Sequence, residues 1–323
     1  MDVINLISKQ PGYPDAPETR PGQQYQPAFP CTANGPRVHE FLREMHQQVL
    51  SSQYELHTLA AFAHAYVTEY KGVITVGETP FTHDTSVLIE YSRPENNELQ
   101  MVFTFELHDI DGVNGYPMLH RNFELPEFKA VIQKYQHGLR EGWNSLYLAN
   151  HDQARSVSRF ANDSPEFRAR SAKLLCTLHS TLCGTMYVYQ GDEIGMKNVG
   201  DDWQLGDFPD VATQMYWQTT LEKRKRETGQ DKPDMEDVLK AIRQKARDNA
   251  RTPIPWSSGK NAGFTTGKPW MRLMDDYKDG WNVEDELKDS SSVHAYWKQM
   301  LAVRKKTPVL VRDLPVRSDC YLC

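Results

Sequence analysis

Ser145-Leu146-Tyr147-Leu148-Ala149-Asn150-His151-Asp152 is a short run of apolar and aromatic side chains that ends abruptly in polar and charged ones. Thr185-Met186-Tyr187-Val188-Tyr189-Gln190-Gly191-Asp192-Glu193 repeats the pattern. Both runs have the composition of buried strands. Between them Ser164-Pro165-Glu166 reads as a cap with proline at the first helical position, predicting a helix from there through Leu182 that stops at Gly184. Upstream, 73–76 and 101–105 are further strands, dense in Val, Ile, Phe and Met. They are followed by a helix starting near Pro126, with Phe128, Val131, Ile132, Tyr135 and Leu139 on one stripe. Strand, helix, strand in series predicts an α/β fold with parallel strands and helices outside. Three of the strand ends lead directly into acids: Glu78, His151-Asp152 and Asp192-Glu193. The carboxyl ends of parallel strands are where ligands bind, so these acids are expected on one face. Read singly, each acid is equally a helix cap or the partner of a nearby arginine.

Outside this series the pattern changes. The segment 214–245 is charged and mostly helical in pattern, and 252–270 is a loop rich in Pro, Gly and Trp. A last helix is expected from about Ser292, with Val293, Tyr296, Trp297, Met300, Leu301 and Val303 as its apolar side, ending before Pro308. The first 35 residues, Pro- and Gly-rich over 10–36, read as one long loop.

With 323 residues the chain has room for two domains or one α/β barrel. Its 37 basic and 43 acidic residues give a net charge of −6, so nothing in the charge favours nucleic acid as a partner. The uncharged run 174–191 is interrupted by Thr177, His179 and Ser180, and reads as a buried helix and strand, not a membrane span. Met1-Asp2 is followed by no basic, then apolar, leader, so the cytoplasm is the expected compartment and Asn162-Asp163-Ser164 a chance glycosylation sequon. Five cysteines are too few for a disulfide framework. Cys176 and Cys183, on one predicted helix, lie about 10.5 Å apart along its axis, beyond disulfide reach. Cys320 and Cys323 supply only two of the four ligands a structural zinc requires, so no metal is expected.

Taken together and in order, several segments closely resemble glycoside hydrolase family 13, the α-amylase superfamily. They are 1–9 (Met-Asp-Val-Ile-Asn-Leu-Ile-Ser-Lys), 75–80 (Thr-Val-Gly-Glu-Thr-Pro) and 150–160 (Asn-His-Asp-Gln-Ala-Arg-Ser-Val-Ser-Arg-Phe), with 184–195, 246–256 and 261–270 in support. Within the family they are most similar to the fungal and yeast maltases, isomaltases and oligo-1,6-glucosidases. The resemblance implies a partial TIM (β/α)8 barrel over 1–311, running from the end of the family's fourth strand to its last helix. It also implies a retaining α-glucosidase acting on short α-1,4 and α-1,6 glucosides such as maltose, isomaltose or sucrose-like substrates through a glucosyl-enzyme intermediate, with no cofactor. By motif Asp2 falls on the nucleophile and Glu78 on the acid/base. Asp152 falls on the third carboxylate, which grips ring hydroxyls, with His151 as a hydroxyl donor beside it and Arg247 in contact with the sugar or with Asp152. Val3, just after the nucleophile, resembles isomaltases, whereas Thr there resembles maltases. For Arg155 and Arg159 a structural ion-pair role is expected. Trp256, Phe264 and Trp270 are open between stacking on sugar faces and anchoring their own loop.

The sequence also departs from the family. Of its Gly-Phe-Arg-x-Asp segment only the last two residues are present, and the first three strands, the Asn-His motif and the C-terminal β-sandwich are not in the chain. An off-family insert at about 53–70 and an off-family tail at 312–323 complete the differences. Three readings stay open on the sequence: an α-glucosidase of which this is an incomplete part, a catalytically silent sugar- or partner-binding fragment, and a glucosyl-transferring isomerase of the same family. The sequence points to no partner protein. On the half-barrel reading the chain alone is expected to be poorly soluble and inactive.

Overall fold

A computed structural model describes residues 1–20, 25–51, 73–113 and 116–312. The insert expected at about 53–70 and the Cys320/Cys323 pair fall outside the described residues, as does nearly all of the tail. The chain divides into two compact units: Met1–Leu107 with Leu125–Ser145, and His108–Glu124 with Leu146–Cys323.

In the first unit the strand Val76–Glu78 (β1) pairs in parallel with Met101–Phe103 (β2), in register Val76 to Met101 and Glu78 to Phe103, and Val102 bridges in parallel to Asn144. On the other side of β1 the chain terminus runs alongside: the Met1 ammonium donates to Val76 O (2.7 Å) and Glu78 N to Met1 O (2.9 Å). Helices Val38–Met45 (α1), Thr85–Ser92 (α2) and Leu125–Gly138 (α3) pack around these strands. Asp84 caps α2 by accepting from Ser86 N at 2.8 Å. Val38, Leu42, Leu88, Tyr91, Val102 and Tyr135 belong to one buried cluster, and full burial of such side chains contributes about 1.5–3 kcal/mol each. Gly77 is required in β1, because a Cβ there would lie 2.6 Å from Leu99 Cδ1 and 2.7 Å from Ile4 Cγ2.

The second unit carries an antiparallel hairpin, Gly112–Val113 (β3) with Tyr116–His120 (β4). Ser145–Leu146 (β5) pairs with Thr185–Met186 (β6), where Tyr187 N donates to Leu146 O at 2.8 Å. Its helices are Ser156–Phe160 (α4), Arg168–Thr181 (α5), Val211–Thr228 (α6), Glu236–Lys245 (α7), Val283–Lys288 (α8) and Val293–Lys306 (α9). Trp203, Phe208, Met235, Val238 and Ile242 belong to a buried cluster in this unit. Helices α5 and α9 are joined by a hydrogen bond between the Thr177 and Tyr296 hydroxyls (2.7 Å) and by an edge contact of His179 on Trp297.

Several boundaries differ from the sequence expectation. The strand expected at 73–76 begins only at Val76, because upstream Thr75 is held by Gln100, whose Oε1 accepts from Thr75 N at 2.7 Å, while Val73 and Ile74 are exposed. The strands expected over 101–105, 145–149 and 185–189 are paired for two or three residues each. Helix α5 starts at Arg168, not at Pro165: Ser164 O takes the amides of Phe167 and Arg168 in a turn, and no side chain caps the helix. The charged stretch 214–245 holds two helices, separated where Gly229 turns left-handed (φ 68°) after α6. Ser292 caps α9 as expected, accepting from Ala295 N at 3.0 Å. No described helix is long and apolar enough to cross a membrane.

Candidate active site

The first unit holds Asp2, Val3 and Glu78. Val3 has left-handed backbone angles (φ 37°, ψ 44°), a conformation a β-branched residue adopts only under constraint. The constraint is visible: Val3 N donates to Glu78 Oε2 at 3.0 Å, so the residue that follows Asp2 is bonded to the second acid. A network of amides fixes the turn after β1. Asn5 Nδ2 donates to Pro80 O (2.6 Å) and to Thr82 Oγ1 (3.0 Å), Asn34 Nδ2 donates to the same hydroxyl (2.9 Å), and Tyr91 OH donates to Asn34 Oδ1 (2.7 Å). Burial pushes the Tyr91 phenol well above its usual value, so it stays a donor at any working pH. Asn5, Asn34 and Thr82 were not singled out from the sequence; Asn5 lies within the quoted 1–9 segment.

The second unit holds His151, Asp152 and Arg247, and brings them together. Asp152 Oδ1 accepts from Arg247 Nη1 (3.1 Å) and Arg251 Nη2 (2.7 Å), and its Oδ2 lies 3.2 Å from His151 Nε2. Both arginines also grip Asp210, at 2.8 Å each. Burial pushes the Asp210 carboxyl up, but the Arg247 hydrogen bond and the two guanidinium charges outweigh it and hold the group below the usual carboxylate range. The result is a square of two carboxylates and two guanidiniums, with Asp152 the more exposed acid. Asp248 steadies the square from behind, accepting from Asp210 N (3.0 Å) and Thr213 Oγ1 (2.9 Å). Asp210 and Arg251 are additions to the sequence-derived set; Arg251 sits four residues after Arg247 in the quoted 246–256 segment, which was the available signal.

Two buried arginines support the Asp152 loop. Arg159 bonds Asp111 through Nε (3.0 Å) and Nη2 (2.6 Å) and reaches Gln153 Oε1 with Nη1 (2.7 Å). Lys245 Nζ donates to the same Asp111 at 2.5 Å, and burial, with the Arg159 charge, brings the lysine down to about 8. The ion pair expected for Arg159 is therefore present. For Arg155 it is not. Its guanidinium donates only to main-chain carbonyls, those of Gln190 (2.7 Å), Asn249 (3.1 Å) and Ala250 (3.2 Å). Among the described residues Asp192 forms no ion pair; Ser156 Oγ donates to it at 3.2 Å, and burial raises its carboxyl to about 7. Among the described residues no group of three His, Cys, Asp or Glu is arranged to hold a metal ion.

Residues 1–313 match the family described as alpha amylase, catalytic domain. An oligo-1,6-glucosidase of Parageobacillus thermoglucosidasius is 41% identical across 100% of this chain and 53% of its own length. An alpha-glucosidase of Schizosaccharomyces pombe is 34% identical across 95% of this chain and 49% of its own. Among solved structures, a trehalose-6-phosphate hydrolase of Bacillus licheniformis superposes with a TM-score of 0.77 at 34% identity, and an isomaltulose synthase of Erwinia rhapontici with 0.79 at 31%. In each of the two structures the match covers 96% of this chain and 50% of the other. The chain thus spans about half the length of the relatives it matches.

Proposed function

Since this chain belongs to the alpha-amylase catalytic-domain family, whose fold is the α/β barrel, we propose that the whole protein is a retaining α-glucosidase acting on short α-1,4 and α-1,6 glucosides. The observation that carries this reading is the holding of Asp152 by Arg247 and Arg251, at 3.1 and 2.7 Å. Two forked donors fix the direction of a carboxylate far better than one flexible contact, which suits an acid that has to accept hydrogen bonds from ring hydroxyls. In the mechanism proposed, a carboxylate oxygen of Asp2 attacks the anomeric carbon as the glycosidic bond breaks, and Glu78 gives its proton to the leaving oxygen. The covalent glucosyl ester is then hydrolysed: Glu78, now ionised, takes a proton from water, and the water oxygen displaces Asp2 from the anomeric carbon. Two inversions give net retention. The bond from Val3 N to Glu78 Oε2 (3.0 Å) fixes the orientation of the acid/base.

The test is the anomer first released from an aryl α-glucoside by the full-length parent, followed by NMR. α-Glucose is expected, and β-glucose would end the proposal. The Glu78→Gln parent should lose turnover of alkyl glucosides by about 10²–10⁴-fold and of activated aryl glucosides far less, since a good leaving group needs little protonation. Equal losses on both would make Glu78 structural. With Val3 after the nucleophile, isomaltose is expected among the substrates, and a parent that cleaves maltose alone would refute this. A glucosyl-transferring isomerase is the second reading, favoured by the isomaltulose synthase likeness; sucrose rearranged without net release of glucose would select it.

A further inference from the structure

The loop 252–270 has a property that the Asp152 square does not explain: it is stiff, strained and aromatic on its outside. Trp270 is 68% exposed and Trp256 52%, an arrangement that leaves two large apolar faces in water. Neither is loose. Trp270 Nε1 donates to Arg251 O at 3.0 Å, and its ring takes the edge of Phe264 at 5.5 Å between centroids. The Trp256 amide donates to Ala262 O at 2.7 Å, and its carbonyl accepts from Glu284 N at 3.0 Å. Between them Asn261 and Ala262 are both left-handed (φ 54° and 53°) without being glycine. The strain is held by cross-bonds, with Asn261 Nδ2 donating to Thr265 O (3.0 Å) and Gly267 O (2.8 Å). Strain of this kind persists where the surroundings over-determine it, and is found preferentially at ligand-binding positions.

Position gives the loop its occupant. The arginine whose carbonyl anchors the Trp270 indole is the one whose guanidinium grips Asp152, at 2.7 Å. One residue therefore connects the hydroxyl-gripping acid to the exposed ring. A flat indole with a fixed tilt offers its face to the apolar CH face of a pyranose, while the sugar's hydroxyls stay in water; no partner side chain is needed.

We propose that Trp270, braced by Phe264, is a stacking platform for a glucosyl unit of the substrate beyond the one held at Asp152, and so sets preference for chain length. The proposal rests on the glucosidase reading for its substrate class, but its own evidence is the loop. The first probe is isomaltotriose, with methyl α-glucoside as the single-ring control, titrated calorimetrically into the full-length parent carrying Glu78→Gln, which slows cleavage during the titration, and into its W270A and W270F variants, each checked for an unchanged thermal melt. W270A should weaken isomaltotriose about tenfold more than it weakens the single ring, and W270F should recover most of that difference. Should W270A lose its cooperative melt, W270F against W270L, alike in bulk but not in stacking, takes its place. Equal weakening of both ligands, or no weakening of the trisaccharide, overturns the platform. Turnover is read separately on the full-length parent. Trisaccharide binding that depends on Trp270 without glucosidase turnover removes the glucosidase reading alone, and turnover with indifference to Trp270 removes the platform alone. A protein that neither binds nor cleaves removes both.

Discussion

Asp111 and Asp192 lie in the same unit, both are buried, and burial pushes both carboxyls up; they end at opposite extremes. Around Asp111, Arg159 bonds both oxygens and Lys245 adds a third donor, so the acid is held far below the usual carboxylate range. Around Asp192 the nearest guanidinium, Arg155, spends its hydrogen bonds on carbonyls, and the acid rises to about 7. The difference teaches that depth does not decide the charge of a buried acid here. What decides it is whether the nearby cation has its donors aimed at the acid or elsewhere.

The largest effect is expected where the donors are aimed. Arg159→Met should lower unfolding stability in urea by about 3–5 kcal/mol, because it strands an ionised acid in the interior. A loss below 1 kcal/mol would mean that Lys245 alone suffices and that the contrast with Asp192 is overstated. Next comes pH. Asp192 has a folded value of about 7 against 3.8 for the ordinary acid, so the folded state binds the extra proton. Its contribution is complete below about pH 4 and is lost as pH rises through 7; at 1.36 kcal/mol per unit it cannot exceed about 4 kcal/mol. The urea stability of wild type should therefore fall relative to that of Asp192→Asn from pH 4 to about 7 and level off above it, and a flat difference over that window would show that the acid stays ionised. Asp111 runs the other way: its contribution is lost only on acidification below the ordinary carboxylate range. The smallest effect belongs to a pair in neither situation. Arg37 and Glu40 are in contact at 2.6 Å but exposed, and Glu40→Gln should leave the urea midpoint unmoved.

The contrast also explains what the sequence made legible. The stripe Phe128, Val131, Tyr135 and Leu139 located α3, and Ser292 located the start of α9, because helix faces and caps are local. Strand lengths were not legible, since pairing depends on neighbours distant in the chain, as when Gln100 instead of a strand meets Thr75. In the site, Asp152 and Arg247 were singled out through the resemblance, which left Arg247 contacting either the sugar or Asp152, and the structure shows the contact with Asp152. Lys245 was not, because it lies in the charged stretch 214–245, whose pattern resembles a solvated surface, nor was Asp210, which lies just ahead of that stretch in no motif; only folding turns them inward. Arg155 and Arg159, four residues apart on α4 and its approach, looked alike as sequence. They differ because one turns toward a carboxylate and the other toward carbonyls.

The Arg155 arrangement has a consequence for heredity. Its acceptors at 190, 249 and 250 belong to the main chain, which every residue type supplies equally. An amino-acid replacement at any of those three positions leaves the acceptor in place, whereas any replacement of Arg155 disrupts all three bonds at once, and lysine cannot reproduce the fork. The constraint of a four-residue contact is thus concentrated in a single codon, leaving the other three open to drift with respect to it.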